Sequence, residues 1–319
     1  MKKEAKAEVY DPAREALILK KLKEHKGAFP PEGLAAVYNE VFSVSRAMQK
    51  KPWIAYLGPV ASYSNIAAMK RFGGAAGYLP VAAIKDVFGE VLKGNADYGC
   101  VPIENSTEGA VNYTYDMFAD YDLKIYSEVL LKINHYLLSK EKSLSGVKKL
   151  FVHPQTLGQC RGYIEANLPG VTVSEVSSNS KAALLASKTK KSAAIAAPLA
   201  AKIYGLNVLA PNVEDVAGNM TRFFIIGKGE SRRTGDDKTS VMVSIKDKVG
   251  ALYLMLKPFE KYGVNLTNIE SRPSKKKAWD YYFFVDMNGH IEDEKIKKAL
   301  AEVEKNAGAV KILGSYPKF

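Results

Sequence analysis

Apolar positions follow helical spacing in residues 1–50, the first of three blocks into which the chain divides. Asp11 precedes Pro12, a pair typical of a helix start, and Gly27 supplies a stop. A second helix is predicted after Pro30. Its apolar face carries Leu34, Val37, Val41, Val44 and Met48. Two amphipathic helices cannot bury such faces alone, so another helix or a partner chain is expected to pack on them.

Short apolar runs alternate with helical patterns in the second block, residues 53–228. The predicted strands are 53–56, 98–103, 149–152, 171–176 and 193–195, with one long or two shorter strands in 123–136. The predicted helices are 64–72, 155–167, 180–187 and 198–204. This alternation predicts an α/β architecture with largely parallel sheets, whose ligands bind beyond the carboxyl ends of strands.

The segment 227–237 is rich in Gly, Ser, Arg and Asp. This composition predicts a linker to the third block. The pattern that follows is strand, helix, strand, strand, helix, strand, at 239–245, 251–262, 264–272, 279–287, 293–306 and 310–316. This βαββαβ order predicts a ferredoxin-like fold. Pro258 falls inside the first of these helices, where it should kink the helix or end it early.

Composition narrows the protein class. Hydrophobic residues make up 47% of the 319 residues and charged residues 25%, which is typical of a globular chain with a sizeable core. No apolar run approaches the roughly 20 residues needed to cross a bilayer. Cys100 and Cys160 are too few for a disulfide framework, and no apolar stretch follows the basic N-terminus. We therefore expect a cytoplasmic protein with no membrane partner.

The formal charge of +12 permits an anionic partner, either nucleic acid or a small molecule. Most basic runs read as solvated faces, and no RNA-binding signature, zinc finger or helix-turn-helix pattern appears. The four histidines lack metal-ligand spacing, and no phosphate loop is present. Nucleic-acid binding thus rests on charge alone, and we predict neither a nucleic-acid partner nor a metal site.

Polar side chains end two predicted strands. Glu104, Asn105 and Ser106 follow the strand that begins near residue 98. His153 follows another, and Gln155 and Gln159 lie four residues apart on the next helix, near its positive N-terminus. Taken alone, each group is explained as well or better by an ordinary turn or helix start.

Two further segments carry polar groups. Ser62 and Ser64 stand in a loop that enters a helix, where hydroxyls and backbone N–H groups are available to a carboxylate. Thr221 and Arg222 begin an apolar strand, in which a buried Arg222 needs an acidic partner. Each of these signals is weak by itself.

In this order, Gly-Pro…Ser-Tyr-Ser, Pro-Ile-Glu-Asn-Ser, His-Pro-Gln…Gln-Cys and Thr-Arg-Phe together resemble the prephenate dehydratases. The third block resembles the phenylalanine-binding ACT domain, with Gly250-Ala251-Leu252 and Glu270-Ser271-Arg272-Pro273 as its marks. The first block resembles the latter part of an all-helical chorismate mutase through Asp11, Arg14, Glu15, Ser45 and Gln49. We therefore expect three domains: a partial mutase at 1–50, a dehydratase at 53–228 and an ACT domain at 238–319.

The resemblance implies a two-lobed α/β dehydratase domain, like a type II periplasmic binding protein, with its site in the cleft. It implies that prephenate is converted to phenylpyruvate, water and carbon dioxide without a metal or organic cofactor. It also implies a homodimer or homotetramer inhibited by phenylalanine, with the Glu270 segment closing the effector site, usually across a dimer interface. Tyrosine or tryptophan as effector stays open.

The family pattern assigns Thr221 a place near the departing hydroxyl, with Asn105 and Gln159 as its catalytic polar partners. Substrate contacts are expected from Glu104, Ser106, Ser62, Ser64 and His153. Arg222 either holds a substrate carboxylate or pairs with Glu104, and the sequence leaves both open. Ala61 stands where the family usually has glycine, a difference that matters if this position needs positive φ.

Two other functions stay open: an arogenate dehydratase, and an amino-acid sensor without catalysis. For the mutase, the resemblance implies a preceding long helix with two arginines, of which Lys2 or Lys3 would match only the lysine just after it. We therefore expect negligible chorismate mutase activity, with residues 1–50 acting as a helical hairpin on the dehydratase lobe or on a partner's copy.

Overall fold

The structure is a computed structural model that describes residues 9–24, 29–245, 248–274, 280–307 and 309–318. The N-terminal hairpin consists of α1 (Pro12–Lys23) and α2 (Pro31–Gln49). The Asp11 carboxylate accepts a hydrogen bond from the backbone N–H of Arg14, which confirms the predicted cap. The predicted stop at Gly27 lies outside the described residues, as do Lys2 and Lys3.

Lobe 1 of the central α/β unit is built on a mixed sheet. Its elements are β1 (Trp53–Leu57), α3 (Tyr63–Phe72), β2 (Gly77–Val81), α4 (Ile84–Lys93), β3 (Tyr98–Asn105), β4 (Gly109–Ala110), α5 (Asn112–Asp120), β5 (Lys124–Lys132) and β11 (Met220–Gly227). The strand order is β2-β1-β3-β11-β5, with β4 beside β3. β1 runs parallel to β2 and β3, whereas β11 runs antiparallel to both of its neighbours.

Lobe 2 is formed by the chain between β5 and β11. Its elements are β6 (Tyr136–Ser139), β7 (Lys149–Val152), α6 (Pro154–Gln159), α7 (Arg161–Asn167), β8 (Thr172–Glu175), α8 (Asn179–Lys188), β9 (Ser192–Ala196), α9 (Pro198–Tyr204) and β10 (Asn207–Ala210). The strand order is β10-β6-β9-β7-β8, with β7 parallel to β8 and β9 and the other pairs antiparallel.

These sheets confirm a two-lobed α/β domain and correct two details of the prediction. Both sheets are mixed rather than largely parallel, because the chain crosses between the lobes twice and returns through the antiparallel strand β11. The single helix predicted over 155–167 is two helices, since Cys160 leaves helical geometry at φ −124° and ψ 17°.

The C-terminal unit has the predicted βαββαβ order. It comprises β12 (Asp237–Ile245), α10 (Ala251–Lys261), β13 (Leu266–Pro273), β14 (Tyr281–Asn288), α11 (Glu294–Ala307) and β15 (Val310–Pro317). The antiparallel order β13-β14-β12-β15 is that of a ferredoxin-like sheet. α10 does not end at Pro258 but continues three residues further.

The N-terminal hairpin packs on lobe 1 through a buried aromatic and ionic cluster. Tyr10 is fully buried, and its ring lies 4.9 Å from that of Phe72, between centroids. Arg46 pairs with Glu15 at 2.6 Å and donates to the carbonyls of Arg71 and Phe72, at the C-terminus of α3. The predicted apolar face of α2 remains largely uncovered in the single chain, with Val37, Val41, Val44 and Met48 all more than half exposed.

The ferredoxin-like unit and lobe 1 share one continuous hydrophobic core. Phe118 and Phe224 of lobe 1 lie in the same buried cluster as Met242, Phe284 and Tyr316 of the C-terminal unit. A contact of this kind is expected to make the two units move together, because separating them would expose large aromatic surfaces to water.

Candidate active site

A cleft of about 1030 Å³ separates the two lobes and collects most of the predicted site residues. We call it the interlobe cleft. Its lobe 1 wall is formed by the loop before α3, the end of β3 and the start of β11. Its lobe 2 wall is formed by the starts of α6 and α8, together with His135 between β5 and β6.

Thr221 and Asn105 face each other across the β11–β3 pair. The Asn105 Nδ2 donates to the Thr221 Oγ1 at 2.8 Å and to the Asn219 Oδ1 at 2.7 Å. The Asn105 Oδ1 accepts the backbone N–H groups of Thr107 and Glu108, which fixes the amide in this orientation. The Thr221 oxygen is thus an acceptor toward Asn105, and its own O–H is left to donate into the cleft.

Ser106 stabilises the same corner from the backbone side. Its hydroxyl accepts the N–H of Met220, and its own N–H donates to the Met220 carbonyl, at 2.9 and 2.8 Å. Ser106 is exposed, but these bonds link it to the strand that carries Thr221. The structure gives Ser106 a positioning contact rather than a place in the cleft lining.

Gln159 is held by His135, which the sequence analysis did not single out. The His135 Nε2 donates to the Gln159 Oε1 at 2.9 Å, and the Gln159 Nε2 donates to the Glu108 Oε1 at 3.3 Å. Burial lowers the pKa of His135, although the Gln159 hydrogen bond and Glu214 act in the opposite sense. The sequence carried no clear signal for this role, because 123–138 contains other polar residues, among them Lys132 and Asn134.

The two serines at the start of α3 differ in their contacts. Ser62 caps α3, accepting the N–H of Asn65 and donating to the Leu57 carbonyl, so its hydroxyl is already engaged. Ser64 is 6% exposed and lines the cleft, and its side chain forms no hydrogen bond with a described residue. Ala61 has φ +66°, so the residue that departs from the family glycine does adopt the left-handed conformation.

His153 lines the cleft at the N-cap of α6, beside Gln155. Glu104 does not line it. Its carboxylate lies 3.9 Å from the guanidinium of Arg222, its neighbour in the strand register.

Arg222 points toward the C-terminal unit. Its Nε donates to Glu128 at 2.7 Å, and its Nη1 donates to Asp286 at 2.6 Å. A third contact, at 3.1 Å, reaches the Tyr316 hydroxyl. Successive side chains on a strand point to opposite faces, so Arg222 faces away when Thr221 faces the cleft. We therefore leave Arg222 and Glu104 out of the proposed substrate site. Of the two alternatives that the sequence left open for Arg222, the contact with Glu104 is present, at 3.9 Å.

The residues predicted to bind an effector lie on the C-terminal unit. Gly250 caps α10 with φ +80°, Ala251 is buried and Leu252 is exposed. The segment Glu270, Ser271, Arg272 and Pro273 lies on β13, an edge strand. Arg272 is already paired with Asp116 of α5 at 3.3 Å, so it contacts lobe 1 rather than standing free for a ligand.

The residues predicted for a mutase site do not converge on one pocket. Glu15 is buried against Arg46, whereas Arg14 is exposed. Ser45 and Gln49 are exposed and contact each other through the Gln49 side chain and the Ser45 carbonyl. Asp11 serves as the cap of α1.

In the part of the chain that the structure describes, no cluster of three or more His, Cys, Asp and Glu side chains is placed to hold a metal ion. No described helix is both long enough and apolar enough to cross a membrane.

Comparison with known proteins assigns the central unit. The family model "Prephenate dehydratase" matches residues 54–231, more than half of the chain. The chain belongs to the prephenate dehydratase family. The ACT domain model matches residues 239–305, and the "Chorismate mutase type II" model matches residues 1–50.

Relatives of this prephenate dehydratase family member include bifunctional proteins that align with the whole chain. The bifunctional chorismate mutase/prephenate dehydratase of Aquifex aeolicus is 47% identical, over 100% of this chain and 89% of its own. A solved prephenate dehydratase of Arthrobacter aurescens, in complex with L-Phe, has a TM-score of 0.76 and 35% identity, covering 83% of this chain and 90% of its own. GqqA, described as a novel type of quorum quenching acylase, has a TM-score of 0.77 and 28% identity, covering 84% and 98%.

Proposed function

We propose that this protein is a prephenate dehydratase that acts in the interlobe cleft and is regulated by phenylalanine through its ACT domain. The observation that carries the catalytic part is the Asn105–Thr221 pair, in which the Thr221 oxygen accepts from Asn105 and its O–H is free to donate to a ligand in the cleft. The family assignment of residues 54–231 supports the substrate.

The reaction balances with one proton taken up. The ring C–O bond of prephenate breaks, and its oxygen leaves with the bonding pair and becomes water on protonation. The bond to the ring carboxylate breaks next to it, its electron pair enters the ring, and carbon dioxide leaves. Aromatisation drives the step, so the enzyme has to orient the substrate and stabilise the departing oxygen.

Thr221 suits the second task as a hydrogen-bond donor. Its pKa as a free acid is too high for it to be a proton store, so the proton comes from solvent and Thr221 relays or directs it. Because the Asn105 Nδ2 donates to the Thr221 oxygen, the Thr221 proton points away from that nitrogen. Gln159, held by His135, offers a polar contact from the opposite lobe.

One substrate carboxylate is proposed to bind near the helix start that carries Ser64. Ser64 is a largely buried residue of the cleft lining, and no side-chain hydrogen bond joins it to a described residue. Backbone N–H groups in the first turn of α3 add a positive potential. His153 contributes from lobe 2.

Thr221→Ala and Thr221→Ser test the catalytic role. We expect Thr221→Ala to lower kcat at least a hundredfold, because the donor is lost, and Thr221→Ser to keep most of the rate. Thr172→Ala, at an exposed position on β8, is the matched control. Near-normal phenylpyruvate formation by a folded Thr221→Ala variant would remove Thr221 from the mechanism. Running the assay with arogenate in parallel decides between the two substrates.

Regulation is proposed to act through phenylalanine at the Gly250 helix start, in at least a dimer. Gly250 has φ +80°, which lets the chain enter α10 with N–H groups exposed to a carboxylate. Calorimetry should show phenylalanine binding, and activity should fall at saturating ligand. Absence of both effects, or stronger binding of tyrosine or tryptophan, would contradict the assignment.

We further propose that residues 1–50 of this chain support the dehydratase fold instead of catalysing the mutase reaction. Glu15 and Arg46 form a buried ion pair with each other. Ser45 and Gln49 are exposed to solvent. We expect negligible chorismate turnover by the purified chain. Turnover comparable with its dehydratase rate would contradict this.

A further inference from the structure

We propose that Lys181, at the start of α8, binds one carboxylate of the substrate and supplies the cleft with its principal positive charge. This inference rests on the proposed function, since it concerns how the same cleft recognises prephenate. Prephenate carries two carboxylates, so a cleft that binds it must offset two negative charges.

The charge of the cleft lining singles out Lys181. Among the described residues that line the interlobe cleft, Lys181 is the one lysine or arginine. Arg222, on the strand beside the cleft, is already engaged by Glu128 and Asp286. Glu108 adds a negative charge to the lining. Without Lys181, the described cleft lining would therefore offer a dianion hydrogen bonds but no lysine or arginine charge.

The backbone that carries Lys181 is held firmly at the cleft wall. The N–H of Lys181 donates to the hydroxyl of Ser178, which caps α8. Ser180 is 2% exposed and donates to the Val60 carbonyl, in the loop of lobe 1 that leads to Ser64. The start of α8 is thereby linked to the opposite lobe, so Lys181 is fixed in place without its own side chain being used.

The ammonium group itself is available. Lys181 forms no ion pair or side-chain hydrogen bond with any described residue, and its residue is exposed. Across the cleft, the Ser64 side chain also forms no hydrogen bond with a described residue. Two unengaged groups on opposite lobes suit a ligand with two carboxylates, one for each lobe. The first turn of the ten-residue helix α8 strengthens the lobe 2 half.

Steady-state kinetics of Lys181→Ala and Lys181→Arg with prephenate test this. We expect Lys181→Ala to raise KM about tenfold with kcat within twofold, because the charge acts in binding, and Lys181→Arg to keep most of the affinity. Lys188→Ala, at the far end of the same helix and outside the cleft lining, should change neither value. Raising the salt concentration should lower kcat/KM less for Lys181→Ala than for the parent chain, because the screened attraction is absent.

Two results would overturn the inference alone. These are a KM for Lys181→Ala within twofold of the parent, or an equal rise for Lys188→Ala, which would show a general effect of surface charge. A parent chain that neither binds nor converts prephenate would overturn the proposed function and this inference together. A parent chain that converts prephenate normally while Lys181→Ala matches it would leave the function intact and remove Lys181 from recognition.

Discussion

Replacing Arg222 by methionine should strongly destabilise the protein, because it removes the cation that two buried carboxylates share. The Glu128 side chain is fully buried, and that of Asp286 is 8% exposed. Breaking a buried ion pair by removing one partner costs about 3–5 kcal/mol, since a charge is left uncompensated. Methionine keeps much of the volume, so the cost reflects charge more than packing.

Glu128 and Asp286 keep different partners when Arg222 is replaced. Glu128 keeps the Lys238 ammonium, 2.8 Å away. Asp286 keeps the hydroxyl of Ser240 at 2.5 Å, but among the described residues Arg222 is its sole cation. The loss should therefore fall near the lower limit, about 3 kcal/mol. Neutralising the stranded carboxylate in Arg222→Met/Asp286→Asn should recover part of that loss.

Urea unfolding followed by circular dichroism measures these differences in the free energy of unfolding. In thermal unfolding, each kcal/mol corresponds to a Tm shift of about 2–4 °C for chains of about 150–250 residues. Arg161→Met, at an exposed position, is the control and should stay within about 0.5 kcal/mol of the parent. The reasoning is refuted if the free energy of unfolding of Arg222→Met lies within 1 kcal/mol of the parent value. It is also refuted if Asp286→Asn destabilises the Arg222→Met variant as much as it destabilises the parent.

Three further predictions follow from the geometry. Ala61→Gly should raise the free energy of unfolding by about 0.5–1 kcal/mol, because Ala61 has φ +66°; an unchanged or lower value would show that the left-handed turn is not strained. Tyr10→Ala should cost about 3–5 kcal/mol through loss of its buried aromatic contacts, and a loss below 1 kcal/mol would show that the N-terminal hairpin is not part of the dehydratase core. Burial lowers the pKa of His135, so its unfolded form takes up a proton as pH falls through 6.5 and its native form does so only at a lower pH. Stability should therefore decline toward pH 5 more steeply in the parent than in His135→Gln, and equal slopes would contradict this.

The sequence predicted the ferredoxin-like unit well, because its strands and helices differ clearly in period. It missed α4, although Ile84, Val87, Phe88 and Val91 recur at helical spacing and are all buried. The break at Cys160 could not be predicted, since polar and apolar residues continue through it in a helical pattern.

The sequence predicted the site less completely than the fold. Thr221, Asn105 and Gln159 do line one cleft, but their hydrogen-bond partners come from residues far apart in the chain. Strand alternation alone could have placed Arg222 on the face opposite Thr221. Lys181 had no sequence signal, because a lysine at a helix start usually reads as solvated surface.

The most direct test of the account is the rate of phenylpyruvate formation from prephenate by the purified 319-residue chain, with prephenate binding measured on the same sample. We predict turnover that saturates with prephenate and falls when phenylalanine is added. Prephenate that binds the chain without any phenylpyruvate appearing would contradict the account and identify a sensor rather than an enzyme.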